Sequence, residues 1–310
     1  MLNADDFLDI KNTIAKHRAK TIALQVPEGL KTGVVPIAKQ IEKNSSGTSV
    51  LIFADPCYGA CDIPIHAMQS YGCDLIIHIG HSAMIKKQDL PVIYIEYFSK
   101  IDILRILEKE INKLKFYKKI GLVTTIQHIK EIEKVAALLK KHNLEPVIGK
   151  PIVAKYPGQV LGCDQSAALS VAKKVDCMLY FGTGRFHALG IARKIDLPVL
   201  MLSLEDGKLY DLKDEQDRYM KKKIILSHKF RESKTVCIVA TTKPGQMNKN
   251  ILKIKKKIES MGKSAFIVVM DLITPEKLLG MEYDIIVNTA CPRIEEDLVF
   301  NRPVINAADI

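Results

Sequence analysis

Apolar residues in this chain do not alternate with polar ones. They come in short unbroken runs separated by stretches of helical periodicity. Unbroken Val/Ile/Leu runs describe strands covered on both faces, as in parallel sheets. The runs recur in the same order three times, at a period of roughly 105 residues. Each unit opens with a strand run (21–26, 120–124 and 236–240), followed by a helical pattern (32–42, 129–142 and 249–261). A second strand run follows (50–54, 147–154 and 265–270).

Next comes a strand led by aspartate. It reads Cys73-Asp74-Leu75-Ile76-Ile77 in the first unit, Asp176-Cys177-Met178-Leu179-Tyr180 in the second and Tyr283-Asp284-Ile285-Ile286-Val287 in the third. Each unit closes on a strand led by Pro91, Pro198 or Pro303. Strand–helix–strand repetition predicts an α/β fold of three pseudo-equivalent parallel-sheet (Rossmann-like) domains, divided at 1–115, 116–215 and 216–310. Such sheets bind ligands beyond the carboxyl ends of their strands, so three of them can share one central site.

Composition narrows the class. Of the 310 residues, 47% are apolar and 26% charged, the balance of an ordinary globular protein. No apolar run reaches the roughly 20 residues that span a bilayer, and the acidic, polar start Met1-Leu2-Asn3-Ala4-Asp5-Asp6 is not a signal peptide. A cytoplasmic location without membrane attachment is expected. The net charge of +11 raises the question of nucleic acid. Yet the excess is mostly lysine in helix-face runs such as Lys221-Lys222-Lys223, and there is no Trp. No basic segment interleaves aromatics for base stacking. A basic surface attractive to an acidic protein partner fits better than nucleic-acid binding.

Seven cysteines, an odd number in a large chain, argue for reduced thiols, some of them metal ligands. Cys237 lies inside a strand, and Cys73 and Cys177 lead into the aspartate strands, so these three read as core. The others sit in Gly/Pro-rich loops. The first unit has Ala54-Asp55-Pro56-Cys57-Tyr58-Gly59-Ala60-Cys61-Asp62, where Cys57 and Cys61 could be a chelating pair or a redox couple. The second has Tyr156-Pro157-Gly158-Gln159-Val160-Leu161-Gly162-Cys163-Asp164, and the third has Asn288-Thr289-Ala290-Cys291-Pro292-Arg293. One thiolate from each unit, converging, would hold three irons of a [4Fe–4S] cluster and leave the fourth open. Zinc is weakly supported, since no Cys-x-x-Cys pair occurs.

Two further loops carry binding chemistry. Phe181-Gly182-Thr183-Gly184-Arg185-Phe186-His187 follows an apolar strand and opens a helix. It is either a tight turn with a packed histidine or a pocket for a carboxylate or nucleoside. Thr241-Thr242-Lys243-Pro244-Gly245-Gln246 occupies the ligand edge of the third unit, as Val26-Pro27-Glu28-Gly29-Leu30 does in the first. His66, His78 and His81 read as packed or exposed side chains rather than ligands, His81, just past a strand end, being the least ordinary of them.

Together these segments resemble the archaeal diphthamide synthase family over essentially the whole chain. The residues carrying the likeness are 54–62, 182–190 and Thr289-Ala290-Cys291-Pro292-Arg293-Ile294. The resemblance implies a [4Fe–4S] cluster on Cys57, Cys163 and Cys291. It implies S-adenosylmethionine as co-substrate, with Gly182, Thr183, Gly184, Arg185, His187 and Gln246 as candidate contacts. It also implies noncanonical radical transfer of a 3-amino-3-carboxypropyl group to a histidine of translation elongation factor 2, leaving methylthioadenosine. A homodimer and an external electron donor come with it. Two rivals keep the architecture: a dehydratase resembling quinolinate synthase, and a non-catalytic docking or electron-transfer subunit. A third is a cluster-free nucleotide-binding protein.

Overall fold

A computed structural model describes residues 2–85, 88–297 and 299–310. In the first unit, β1 (Thr21–Gln25), β2 (Ser49–Phe53), β3 (Leu75–Gly80) and β4 (Val92–Glu96) form a parallel sheet of order β2-β1-β3-β4. In the second, β5 (Lys119–Thr124), β6 (Glu145–Ile148), β7 (Cys177–Gly182) and β8 (Val199–Ser203) repeat that order, and β9 (Leu209–Asp211) adds an antiparallel edge to β8. In the third, β10 (Thr235–Thr241), β11 (Ser264–Met270), β12 (Ile285–Asn288) and β13 (Val304–Asn306) repeat it again. The three predicted parallel-sheet domains are therefore present, with one topology.

Burial explains the unbroken runs. β3, β7 and β12 sit inside their sheets with helices and loops on both faces, and every residue in them is buried. Each such Ile, Leu or Val contributes roughly 1.5–3 kcal/mol relative to exposure. The crossover helices match them. Val34–Asn44 buries Val34, Ile37, Ala38 and Ile41, and Ile132–Lys141 buries Ile132, Val135, Ala136 and Leu139, the same i, i+3, i+4, i+7 stripe. In the third unit Ile251, Ile254 and Ile258 play that part.

The leading aspartates have a structural use. Asp74 accepts the backbone N–H groups of Lys20 and Thr21 (2.9 and 3.2 Å), Asp176 those of Lys118 and Lys119 (2.8 and 2.7 Å), and Asp284 those of Lys234 and Thr235 (2.8 Å each). Each clips the entrance of its unit's first strand to the strand beside it. The two backbone N–H groups hold Asp176 and Asp284 below the usual carboxylate range.

Five elements depart from the sequence reading. The run 147–154 is strand only to Ile148. Beyond it, Asp164 Oδ2 takes the N–H groups of Val153 and Ala154 (2.8 and 2.9 Å) and Ser166 Oγ that of Ile152 (2.7 Å), so side chains replace the ladder and Ile152 is exposed. A helix over Ala4–His17, strand β9 and the 20-residue helix Lys213–Glu232 carry no repeat signal. The helix Ile103–Glu110, placed by sequence in the first unit, packs Ile103 and Leu107 into the second unit's core. Helix Lys213–Glu232 spans two units. Gln216 caps the carbonyls of Ala192, Ile195 and Leu197 in the second, while Leu226 and Phe230 enter the core of the third. No helix among the described residues is long and apolar enough to cross a membrane.

Candidate functional site

Loops leaving the carboxyl ends of strands in all three sheets enclose a cleft of about 260 Å³. Its walls include Cys61, Cys163 and Cys291, one from each unit, together with His81, His187 and Gln246. An adjoining cavity of about 190 Å³ continues past Gln246 and Cys291 toward Lys243 and Asp271.

Each cysteine loop is fixed by its own bonds. Gly245 donates its N–H to the Cys61 carbonyl (3.1 Å), and Gln246 Nε2 lies 3.4 Å from Cys61 Sγ. This contact requires glycine, because a Cβ on residue 245 would lie 2.4 Å from Cys61 Cα. Asp62 anchors the same turn: its carbonyl accepts Gln25 Nε2 (2.8 Å), and its buried carboxylate pairs with Lys243 Nζ at 2.7 Å. In the second loop Gln165 Nε2 donates to the carbonyls of Leu161 and Gly162, and Gly162 packs on the Phe186 ring, leaving no room for a Cβ. Gln159 bridges units by donating Nε2 to Ser82 Oγ (3.0 Å) while its Oε1 holds the N–H groups of Lys155 and Tyr156. In the third loop Asn288 Nδ2 donates to the Cys291 carbonyl (2.8 Å), and Asn288 Oδ1 accepts the N–H of Ala290.

The thiols sense one another. Burial pushes Cys163 up to about 11, with further upward pressure from Cys61 and Cys291. Burial likewise raises Cys61, with Cys291 adding to it against the Gln246 hydrogen bond. Cys61 and Cys163, each raised in part by Cys291, resist ionising unless a cationic centre compensates them, and an iron–sulfur core would do so through the thiolate bonds themselves. Donor type, number and confinement therefore fit a three-cysteine cluster.

The position of Cys57 differs from the expectation. It is buried and does not line the cleft; Cys61 stands there instead, four residues on. Cys57 Sγ and a ring nitrogen from each of His78 and His81 lie within 4.8 Å of one another. Burial pushes the Cys57 thiol up to about 12. Of the residues expected around S-adenosylmethionine, His187 and Gln246 line the cleft. Gly182, Thr183, Gly184 and Arg185 do not: Gly182 ends β7, Thr183 and Gly184 are exposed, and Arg185 pairs with Glu215 across the molecule's outer face. Cys237 is core, as read from sequence.

The threefold repeat is broken at the cysteines. Cys61 and Cys163 follow the second strand of their units, β2 and β6, whereas Cys291 follows the third, β12. Sequence reasoning missed Lys243, Gln159 and Ser82 as site-building residues. It also passed over a local signal: Cys61-Asp62 and Cys163-Asp164 are the same dipeptide, at the period of the repeat, with both aspartates anchoring their loops.

The profile of diphthamide synthesis proteins matches residues 26–310. The chain belongs to the diphthamide synthesis protein family. Among relatives in this family, the 2-(3-amino-3-carboxypropyl)histidine synthase of Pyrococcus horikoshii is 29% identical over 97% of this chain and 88% of its own length. That of Methanocaldococcus jannaschii is 30% identical, covering 96% and 84%. Subunit 1 of the human synthase is 28% identical, covering 94% and 67%. The crystal structure of Dph2 from Pyrococcus horikoshii superposes with a TM-score of 0.91 at 28% identity, over 100% of this chain and 90% of that one. A second structure of that diphthamide synthesis protein, equally similar, contains a 4Fe-4S cluster.

Proposed function

We propose that this chain transfers the 3-amino-3-carboxypropyl group of S-adenosylmethionine to ring position 2 of a histidine in translation elongation factor 2. In this reading Cys61, Cys163 and Cys291 hold a [4Fe–4S] cluster. The observation that carries it is the convergence of those three thiols, from three separate sheets, on one cleft. The relatives' name supplies the product, a histidine substituted at position 2.

A cluster held by these residues would supply the electron needed to break the bond between sulfur and the γ-carbon of the methionine part. The protein's own groups do the rest. Gln246 and Gly245 fix the Cys61 loop, so the bond that breaks is set by how rigidly this wall meets the co-substrate. His187, stacked beside Tyr180 with ring centroids 6.3 Å apart and pushed down to about 4 by burial, is neutral at physiological pH. It and Phe186, over which Arg293 lies at 4.7 Å, offer an aromatic wall suited to a nucleoside. A homodimer, an external electron donor and a cytoplasmic setting belong to the same reading.

The test is anaerobic incubation of the reconstituted protein with dithionite, S-adenosylmethionine and elongation factor 2. Mass spectrometry is expected to find methylthioadenosine and a mass gain on the factor. 5′-Deoxyadenosine instead, or no cleavage by a reducible cluster, overturns the reading.

A further inference from the structure

A hydrogen-bonded chain outside the cysteine set runs from Asp62 to the cleft, and its direction is fixed. Gln25 Nε2 donates to the Asp62 carbonyl at 2.8 Å, so Gln25 Oε1, 2.9 Å from His78 Nδ1, can only accept. His78 therefore carries its proton on Nδ1 and presents a bare Nε2. That nitrogen lies 3.0 Å from His81 Nδ1, which must then be the donor. The remaining nitrogen of His81, Nε2, is left with a free lone pair, and His81 lines the cleft. Among the described residues Nε2 makes no hydrogen bond.

The His81 position is built rather than incidental. It follows β3 directly, and Gly80 turns the chain there with φ +108, where a Cβ would strike the Pro27 ring at 2.9 Å. Ser82, the next residue, is buried and held by Gln159 across the unit boundary. Gln25 and His78 are themselves almost fully buried.

The reaction proposed above, on which this inference rests, needs a proton acceptor in the cleft that His81 lines. In the net transformation the pair in the sulfur–carbon bond goes to sulfur, giving a neutral thioether. The new carbon–carbon bond replaces a C–H bond at ring position 2, whose pair remains in the product. No electron is gained or lost overall, and one proton must leave the ring carbon.

We propose that His81 Nε2 is the general base that takes this proton, with His78 and Gln25 as positioning residues that fix its tautomer and aim. Burial pushes His81 down to about 4, and His78 to about 3, so both are unprotonated at neutral pH. A weak base suffices, because losing this proton, together with return of the electron that the cluster would have lent, restores the aromatic ring. The chain ends at an amide and conducts nothing onward, so the proton leaves His81 by the cleft.

The experiment measures methylthioadenosine and modified elongation factor 2 side by side in the reconstituted full chain, wild type and His81→Ala, with iron content checked in both. The variant is expected to keep its cluster and to form methylthioadenosine within about twofold of wild type. Modified factor should fall about 10²-fold, and added imidazole should restore part of it. His78→Phe should give a smaller fall in the ratio of modified factor to methylthioadenosine. Equal loss of both products in His81→Ala, or no loss of either, overturns the assignment. Absence of methylthioadenosine in the wild type instead sinks the underlying reading, a distinguishable failure.

Discussion

Lys243 Nζ meets the Asp62 carboxylate at 2.7 Å, with both side chains at most 10% exposed and 181 positions apart in the chain. This pair ties the loop after β10 of the third unit to the residue following Cys61 in the first. Burial raises Asp62 while the Lys243 hydrogen bond and charge pull it back down, so the carboxylate depends on its partner. Lys243→Met should therefore destabilise the apoprotein by about 3–5 kcal/mol, because it strands a buried charge. Urea unfolding of Lys243→Met, Asp62→Leu and the double variant checks this. The double variant should recover much of the loss, and full additivity would disprove the coupling.

Iron and sulfide content separate Cys57 from Cys61. Cys61→Ala, Cys163→Ala and Cys291→Ala should each lose the [4Fe–4S] absorbance after anaerobic reconstitution. Cys57→Ala and Cys237→Ala should retain it. A Cys57 variant without iron beside an iron-replete Cys61 variant would restore the assignment drawn from sequence.

Gly245→Ala puts a methyl carbon 2.4 Å from Cys61 Cα and 2.5 Å from its Cβ. Overpacking of this kind costs about 1–3 kcal/mol, and here the displaced atom belongs to a ligand loop. Reduced cluster occupancy is expected, whereas Gly29→Ala, whose Cβ meets nothing within 4 Å, serves as a neutral control. Equal iron content in the two proteins would show that the Cys61 loop has slack.

The pH dependence of stability follows from the buried histidines. Burial holds His78 near 3, His81 near 4 and His187 near 4, all below the unfolded value of about 6.5. The folded state therefore binds fewer protons than the unfolded one between these values. Stability is fully present above about pH 6.5 and is lost as pH falls toward 4. Denaturation midpoints of the cluster-free protein should drop across that window. His81→Gln should shallow the slope by up to one proton, and an unchanged slope would mean that His81 is not buried as described.

Where repetition controls the structure, the sequence showed it. Asp74, Asp176 and Asp284, and the prolines at 91, 198 and 303, marked the same two strands in each unit, because a parallel sheet buried on both faces tolerates little else. The site was only partly legible. Cys163 and Cys291 line the cleft where the sequence placed them, but Cys57 and Cys61 sit in one loop, and only the burial of Cys57 beside His78 separates them. Arg185 looked like a ligand fork because its glycine-rich setting is common to anion sites; nothing local announces Glu215, thirty residues on, as its partner. Helix Lys213–Glu232 showed in the sequence only as the lysine-rich helix face around Lys221-Lys222-Lys223; its extent and its role in linking units did not, because its exposed faces carry little apolar periodicity.

The displacement of Cys291 to the loop after β12, while Cys61 and Cys163 follow β2 and β6, has a consequence for direction. A bowl with true threefold symmetry presents the same wall from three sides, and an asymmetric molecule entering it has three equivalent ways to sit. Here the first unit answers Cys291 not with a thiol but with His81, which follows β3 as Cys291 follows β12, and the second answers with Phe186 and His187 beyond β7. One wall gives sulfur, one a bare imidazole nitrogen, one an aromatic face. A duplicated and reduplicated scaffold has thus acquired handedness at its centre, and a guest can be told front from back.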